Sequence, residues 1–520
     1  MSGASKVFPD YFKYKNDMRE EKMENQIQKA AEHIEFQNKS KKKYFDLTLE
    51  NFDKFKKRKI IIYGAGAYGT LLFSYLKING LQNNVVCFAV SKKQGNPEYI
   101  FDKPVVPFEK LRTDDDKPVM IVAVNKNYID EISEKLMGEY DFFWFSPDTA
   151  DEVKKEIFRI YQEVPIQKNK VFFYCYGGMG YRCNCKYIAK KLWEGNYPVE
   201  MVWALSGRED KQGIPDHIKT VIIGSTEYYK ELYTSLIVIE NDGKAPFVYK
   251  RQGQFCINTW HGYGPFKKVG GALPENDRKL IEEYYSYYDL FLTASSFYTQ
   301  IYRDSFCYHG TILECGAPRN DVFFTDNQIK ERIYQLYNIP SEKGILLLAP
   351  TFRYDKSAAF EKYNMDICQV LHALEKRFQK EYVLMYRFHH QLYESEKRIN
   401  YFTDGIDVTL YPDIQELLVA ADIVITDYSS LMWDFSLQRR PVFLYQKDLN
   451  EYDQHRGFYA PISQWPYPQA HTQEELLNRI EEFDEESYIQ RLNSFLTKYG
   501  SCDDGHGAER VANLIMDKIQ

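Results

Sequence analysis

The stretch Ile423-Val-Ile-Thr-Asp-Tyr-Ser-Ser-Leu-Met-Trp-Asp434 decides the fold of this chain. Its first residues are β-branched and apolar, which favours a buried strand. Asp427, Ser429 and Ser430 come next, and residues of these types favour the start of a helix. A strand followed at once by a helix is the repeating unit of α/β proteins. The first N–H groups of a helix can bind phosphate, so the stretch fits either a phosphate site or an ordinary helix cap.

Four further motifs in the second half of the chain stand where an apolar run ends. Each presents an imidazole, a guanidinium or a glycine at a predicted strand end, where α/β proteins bind their ligands. Such groups can hold a diphosphate and remove a proton from an alcohol. The motifs are Asn258-Thr-Trp-His261-Gly262, Ala349-Pro-Thr-Phe-Arg353, Arg387-Phe-His389-His390 and Arg456-Gly-Phe-Tyr459.

The alternation of strands and helices extends over most of the chain. Lys59-Ile-Ile-Ile-Tyr63, the loop Gly64-Ala-Gly66-Ala-Tyr-Gly69 and a helical stretch from Thr70 predict a strand, a turn and a helix. We predict an α/β protein with two doubly wound domains after a smaller Rossmann-like domain. The predicted parts are a helical N-terminal segment over 1–54 (helix about 12–50), the Rossmann-like domain over 55–150, a polar linker over 151–168, and domains over 169–335 and 336–520.

The glycine-rich loop at 64–69 lacks one partner that a dinucleotide site requires. Such a site usually has Asp or Glu after the second strand to bind the ribose. Here Val86-Cys-Phe-Ala-Val90 is followed by Ser91-Lys92-Lys93. The sequence therefore favours regulation, docking or another nucleotide over NAD for this domain.

Composition limits the classes of protein. The 520 residues carry a net charge of −7, so no overall basic field attracts nucleic acid. The nine cysteines are scattered and odd in number, which indicates reduced thiols in a cytoplasmic protein and no metal site. We find no signal peptide and no apolar run of the roughly 18–20 residues that cross a bilayer, so we expect a soluble or peripheral protein.

Two features of composition have two readings each. The basic cluster Lys39-Ser-Lys41-Lys42-Lys43, continued over 54–59, fits contact with anionic lipid headgroups or a solvated linker surface. The aromatic content of 16% fits stacking surfaces for bases and sugars, or simply an AT-rich genome.

Individual residues have chemical roles that their positions suggest. His261 follows a strand and precedes Gly262, which suits a general base or a buried core histidine. Arg353 would point to the mouth of a cleft and bind phosphate through two nitrogens. Strand alternation places Arg387 and His389 on one face and His390 on the other, so we expect His389 to face the ligand.

From about Lys170 to the C-terminus, the sequence resembles the CDP-glycerol glycerophosphotransferase family, the teichoic acid polymerases and primases with a GT-B fold. The resemblance covers roughly 350 residues in order and spacing. Besides the motifs above, it rests on Pro265-Phe-Lys-Lys-Val-Gly270, Gly316-Ala-Pro-Arg319-Asn320-Asp321, Asp434, Arg440-Pro-Val-Phe-Leu-Tyr445 and Asp504-Gly-His-Gly-Ala-Glu509-Arg510.

The resemblance implies transfer of glycerol phosphate from CDP-glycerol to an acceptor hydroxyl with release of CMP, in teichoic acid or capsular polymer synthesis. It implies His261 as the base and His389 as a second catalytic residue. Gly262, Lys267 and Lys268 would lie on the acceptor side. The family usually has His-Pro where this chain has His389-His390, so the phosphate-facing imidazole stays open. The implied donor-binding residues are Arg353, Arg387, Asp427, Ser429, Ser430 and Arg456.

The resemblance also implies partners and a location. The donor would be CDP-glycerol, with no tightly bound cofactor. The acceptor would be a lipid-linked or polymeric glycan or polyol phosphate, at the inner face of the cell membrane. Three alternatives remain: CDP-ribitol as the donor, a nucleotide-sugar glycosyltransferase of the same architecture, and a scaffold without catalysis.

Overall fold

The computed structural model describes residues 45–111, 118–136, 140, 142–207, 211, 213–245, 248–273, 276–325, 328–351, 364–389, 401–402 and 404–520. The chain divides into two compact units. The first unit comprises residues 1–180 and 198–256, and the second comprises 181–197 and 257–520.

The strands within these ranges are mostly short and apolar. They are β1 (Phe45–Asp46), β2 (Ile60–Tyr63), β3 (Val85–Val90), β4 (Tyr99–Ile100), β5 (Lys103–Pro107), β6 (Val119–Val122), β7 (Phe142–Trp144), β8 (Gln167–Tyr174), β9 (Glu200–Leu205), β10 (Lys219–Ile222), β11 (Ser235–Glu240), β12 (Phe255–Asn258), β13 (Leu290–Thr293), β14 (Thr311–Glu314), β15 (Gly344–Leu348), β16 (Tyr382–Tyr386), β17 (Ile406–Asp407), β18 (Ile423–Thr426), β19 (Val442–Tyr445) and β20 (Gln469–Ala470).

The helices alternate with these strands. They are α1 (Ala67–Ile78), α2 (Lys126–Leu136), α3 (Pro147–Gln162), α4 (Cys183–Glu194), α5 (Thr226–Thr234), α6 (Arg278–Tyr285), α7 (Ser296–Asp304), α8 (Ile329–Leu336), α9 (Ile367–Phe378), α10 (Ile414–Ala420), α11 (Leu431–Ser436), α12 (Leu449–Arg456), α13 (Gln473–Glu481), α14 (Glu485–Lys498) and α15 (Gly507–Ile519). None of the helices in the described ranges is long and apolar enough to cross a membrane.

The first unit contains a seven-stranded sheet in the order β1-β7-β6-β2-β3-β5-β4. Its neighbouring strands are parallel except for β4 and β5. The unit also contains the parallel run β10-β9-β8-β11. Parallel strands covered on both faces are apolar throughout, as β2 and β6 are. This explains why apolar runs predict these strands well.

The helix predicted over 12–50 does not continue to its predicted end. Phe45 and Asp46 form β1, which pairs with β7, and a 3-10 helix follows over Leu49–Phe55. The many Lys and Glu residues suggested a polar helix, whereas Leu47 and Phe55 are buried. Residues 12–44, including the basic cluster at 39–43, lie outside the described residues.

The prediction of a polar linker over 151–168 is wrong, because most of that stretch belongs to α3. Ser146 caps the helix through its side chain, and Val153 and Ile157 are fully buried. The helix packs against α1 and α5, and the Tyr161 hydroxyl donates to the carbonyl of Thr226 at 3.2 Å. Charged residues on the opposite helix face hid the apolar stripe, so composition alone suggested a linker.

The second unit carries the predicted functional motifs. Strands β12, β13 and β14 form a parallel run, and a six-stranded parallel sheet has the order β17-β16-β15-β18-β19-β20. The loops after the adjacent strands β16, β15 and β18 leave the same edge of that sheet, because parallel strands share a direction. These loops begin the motifs at 387–390, 349–353 and 426–430.

Replacing Ile157 by Ala should lower the free energy of unfolding of the first unit by about 2–5 kcal/mol, because it leaves a cavity beneath α3. Ile160 lies on the same helix but is 43% exposed, so Ile160→Ala serves as the matched control with little expected effect. Urea unfolding followed by circular dichroism measures both. Equal unfolding midpoints for the two variants would contradict a packed α3.

Candidate functional site

The loop that carries His261 is held in an unusual backbone conformation. After β12 ends, Trp260 adopts φ +48°, a region that bulky residues rarely occupy. Such strain costs about 1–3 kcal/mol and is found mainly at functional sites. The Trp260 N–H donates to Asn258 Oδ1 at 2.8 Å, and its carbonyl accepts from Asn184 Nδ2 at 2.9 Å. His261 is half-buried, and its ring centroid lies 4.4 Å from that of Trp260.

The structure brings the His261 loop together with the start of α11. A Cβ atom on Gly262 would lie 3.2 Å from Ser430 Oγ, so only a glycine allows this approach without displacing the serine. Ser430 is the N-cap of α11, yet its side chain makes no capping hydrogen bond. Ser429 Oγ accepts weakly from Leu431 N–H at 3.4 Å. Of the polar residues before the helix, Ser429 therefore makes the contact with its first N–H group, and Asp427 bonds elsewhere.

Asp427 supports a neighbouring loop through its carboxylate. It is 2% exposed. Its Oδ1 atom accepts from the backbone N–H of Thr351 at 2.8 Å, from the Thr351 hydroxyl at 2.6 Å and from Tyr428 N–H at 2.6 Å. Thr351 stands two residues before Arg353, which lies outside the described residues. Asp427 thus positions the loop that leads to Arg353.

Arg387 has a comparable structural role. Its Nη1 atom donates to the carbonyls of Val408 at 3.0 Å and Tyr411 at 2.5 Å. These contacts fix the turn after β17 through one nitrogen of the guanidinium, and diphosphate binding by Arg387 stays a prediction. His389 follows β16 and is half-buried. His390 lies outside the described residues, so the choice between the two imidazoles stays a prediction.

The segments around Lys267 and Arg456 form a short antiparallel pair. Lys267 bridges to Phe458, and the N–H of Lys268 donates to the carbonyl of Gly457 at 3.1 Å. The Arg456 Nε atom is buried and has no hydrogen-bond partner within the part of the chain that the structure describes. The two lysines, predicted for the acceptor side, therefore lie beside a residue predicted for the donor side.

A buried polar network underlies these loops, and sequence reasoning did not identify it. Arg319 Nη2 lies 2.8 Å from Asp434 Oδ2, with both side chains about 5% exposed or less. Gln415 Nε2 donates to Asp434 Oδ2 at 2.9 Å, and Asn320 Nδ2 donates to its Oδ1 at 3.2 Å. The family motif that contains Arg319 and Asn320 was the available signal, but it carried no indication of pairing with Asp434.

The network continues to the His261 loop. The backbone N–H of Arg319 donates to Asn184 Oδ1 at 3.1 Å, and Asn184 Nδ2 binds the Trp260 carbonyl. Asp434 lies on α11, the helix that begins immediately after Ser430. One set of buried hydrogen bonds thus connects the loop that carries Gly262 with the helix that begins after Ser430.

A carboxylate at the edge of this network has a strongly shifted pKa. Burial raises the pKa of Asp503 to about 7, against hydrogen bonds from Ala317 N–H and Asn320. Asp503 Oδ1 accepts from Ala317 N–H at 2.8 Å and from Asn320 Nδ2 at 3.3 Å. Its Oδ2 atom is buried without a partner among the described residues. The protonated acid is the form that this environment favours.

A cavity of about 570 Å³ in the same unit contains none of the predicted site residues. Its wall includes Lys186, which pairs with Asp413 at 2.6 Å and Glu416 at 2.8 Å. Lys191 pairs with Glu509 at 3.6 Å. The positive charges of this wall are therefore already matched by carboxylates, and the cavity offers no net charge to an anionic substrate.

Replacing Asp434 by Asn should destabilise the second unit by about 3–5 kcal/mol, because Arg319 then keeps a buried charge without its partner. Asp504→Asn is the matched control. It removes the partner of Arg510 in an exposed ion pair, and such pairs contribute about 0–1 kcal/mol. Urea unfolding at pH 7.5 compares the two variants, and equal losses would show that the buried pair adds nothing.

The Asp503 environment predicts a specific pH dependence. Its folded-state pKa is raised, so its contribution to stability is complete below about pH 4 and is lost as pH rises through about 7. Asp503→Asn keeps the Oδ1 acceptor and removes the titration. We expect the variant to melt higher than the wild type at pH 8 and to lose that advantage at pH 5. The same difference in melting temperature at both pH values would refute this assignment.

Most of the chain matches a known protein family. The profile of the CDP-glycerol:poly(glycerophosphate) glycerophosphotransferase family matches residues 156–517. A second profile, that of a C-methyltransferase C-terminal domain, matches residues 14–141. The teichoic acid poly(glycerol phosphate) polymerase of Staphylococcus epidermidis is 29% identical over 383 residues, which cover 69% of this chain and 52% of that protein. The chain therefore spans about half the length of this relative.

Two other similarities agree with the family profile. The teichoic acid ribitol-phosphate primase of Bacillus spizizenii is 28% identical over 375 residues, which cover 68% of this chain and 92% of that protein. A variant of the wall teichoic acid polymerase TagF, soaked with CDPG, has a TM-score of 0.62 and 25% identity, covering 71% of this chain and 94% of that one. The TagF likeness and the parallel sheets confirm the predicted GT-B-type α/β fold class. The chain belongs to the CDP-glycerol glycerophosphotransferase family.

Proposed function

We propose that this protein transfers glycerol phosphate from CDP-glycerol to an acceptor hydroxyl and releases CMP, as a step in the synthesis of a teichoic acid or a capsular polymer. The observation that carries the proposal is the approach of Gly262, next to His261, to within contact of Ser430. A candidate base and a candidate phosphate-binding helix start thus adjoin in the part of the chain that matches the family.

The reaction requires a base for the acceptor hydroxyl and charged or polar groups that bind the diphosphate. His261 takes the proton of the acceptor hydroxyl as its oxygen attacks the phosphorus that bears the glycerol. The bond from that phosphorus to the oxygen bridging to the cytidine phosphate breaks, and CMP leaves with the electron pair. Positioning and electrostatic stabilisation dominate such reactions.

In this proposal the donor is bound by polar side-chain atoms for which the structure shows no hydrogen bond within the described part of the fold, together with residues of the family motifs. The Ser430 hydroxyl makes no cap bond, and Arg456 has a buried Nε atom without a partner among the described residues. Ser429 completes the polar shell. Arg353 and His389 join them on the strength of the family motifs, and Lys267 and Lys268 approach either the acceptor or the donor. The acceptor is a lipid-linked or polymeric polyol phosphate at the inner face of the membrane.

CDP-ribitol is the second candidate donor, because a relative of similar identity is a ribitol-phosphate primase. Incubating the purified protein with CDP-glycerol, CDP-ribitol or a UDP-sugar, each with a glycerol-phosphate-primed lipid acceptor, separates the candidates. We expect CMP release with CDP-glycerol. Release with CDP-ribitol alone would change the donor, and release of UDP alone would change the class of enzyme.

Replacing His261 by Ala should reduce CMP release by about 10²–10⁴-fold, the usual contribution of a general base. Donor affinity, measured by calorimetry, should change little, whereas Arg353→Ala should weaken both binding and turnover. His309→Ala is the control, because that side chain is 74% exposed and should keep full activity. Retained turnover after His261→Ala would favour the scaffold alternative, and equal losses of donor affinity in the two variants would contradict the assigned roles.

A further inference from the structure

Neighbouring residues hold both the backbone and the ring of Trp260 in place. Both its backbone N–H and its carbonyl are hydrogen-bonded. Its ring packs edge-on against Phe306, with the two centroids 4.7 Å apart. The residue is 8% exposed. The indole is therefore a rigid surface beside the next residue in the chain.

That next residue is His261. The two rings are in contact and tilted against each other, with an angle of 33° between their planes and a centroid distance of 4.4 Å. An indole face attracts a neighbouring cation. It therefore restricts the rotation of the imidazole and favours the imidazolium that forms when His261 accepts a proton.

The backbone of Trp260 argues against a role in core packing alone. Trp260 holds a left-handed conformation at φ +48°, which Gly or Asn would occupy with less strain. The rings of Trp260 and His261 nevertheless lie in contact although the residues are consecutive. In an extended strand, consecutive side chains point to opposite faces.

We propose that Trp260 is a positioning residue for His261, and that its indole ring, in contact with the imidazole, fixes the imidazole and stabilises its protonated form during phosphoryl transfer. This inference rests on the proposed function for its catalytic part and on ring geometry alone for its ring-contact part. No bond to Trp260 forms or breaks, and the proton passes from the acceptor oxygen to His261 only.

The first test observes His261 directly, without turnover. The chain has ten histidines, and labelling them with ¹³C at Cε1 allows the His261 signal to be assigned by its loss in His261→Ala. We expect Trp260→Leu to lower the His261 titration midpoint by about half a pH unit, through loss of the indole face. Trp260→Phe, which retains an aromatic face, should restore most of the shift.

Other groups near the indole do not confuse this measurement. Burial raises the pKa of Tyr298, so this phenol stays neutral. Arg456, whose charge acts on Tyr298, is present in every variant. Phe291→Leu is the stability control, because Phe291 is fully buried and its ring lies 6.2 Å from that of Phe306. It should lower the melting temperature and leave the His261 midpoint unchanged.

The second test measures transfer by the full chain with CDP-glycerol. Trp260→Leu should reduce kcat by about 10- to 100-fold, as misplaced catalytic groups do, with KM for the donor nearly unchanged. Trp260→Phe should recover most of kcat. An unmoved His261 midpoint in Trp260→Leu, or an unchanged kcat in an otherwise active enzyme, would overturn the proposal. Absence of transfer in the wild type would refute the proposed function, while the titration would still decide the ring contact.

Discussion

The buried ion pair between Arg319 and Asp434 is the constraint on which the site depends. Two charges removed from water are tolerated only when their remaining hydrogen-bonding groups are occupied. Asn320 and Gln415 occupy those of the carboxylate, and Asn184 binds the Arg319 backbone. Because Asp434 lies on the helix that begins after Ser430, while Asn184 also holds Trp260, the network fixes both sides of the predicted site.

The motif residues divide by how fully the fold uses their polar atoms. The Asp427 carboxylate and the Arg387 guanidinium bind backbone groups and hold the neighbouring loops. The Ser430 hydroxyl makes no cap bond, and the Arg456 Nε atom has no partner among the described residues. A family motif therefore combines residues whose polar atoms bind the fold with residues whose polar atoms lack such a partner among the described residues, and residue type does not separate them.

The N-terminal α/β domain is packed into the first unit through helices. Lys77 on α1 pairs with Glu227 on α5 at 3.0 Å, and Tyr161 on α3 binds the same region. The family profile begins at residue 156, within α3. The helix thus belongs partly to the stretch that matches the family, while it packs against α1 of the preceding α/β domain.

The amino-acid sequence by itself determined the strand order along the chain, the α/β class and the position of four of the five motifs at a strand end. The strand end predicted for the fifth motif, Arg456-Gly-Phe-Tyr459, is wrong, because Arg456 ends helix α12. A strand that is buried on both faces consists of a continuous apolar run such as Ile423–Ile425. Such a strand can therefore be predicted from its own residues, without knowledge of distant parts of the chain. The sequence did not reveal that 147–162 is a packed helix, that Asp427 serves Thr351, or that Arg319 pairs with Asp434. Only the tertiary structure decided these, because a polar side chain acquires its role from partners that lie far away in the chain, as Thr351 lies 76 positions before Asp427.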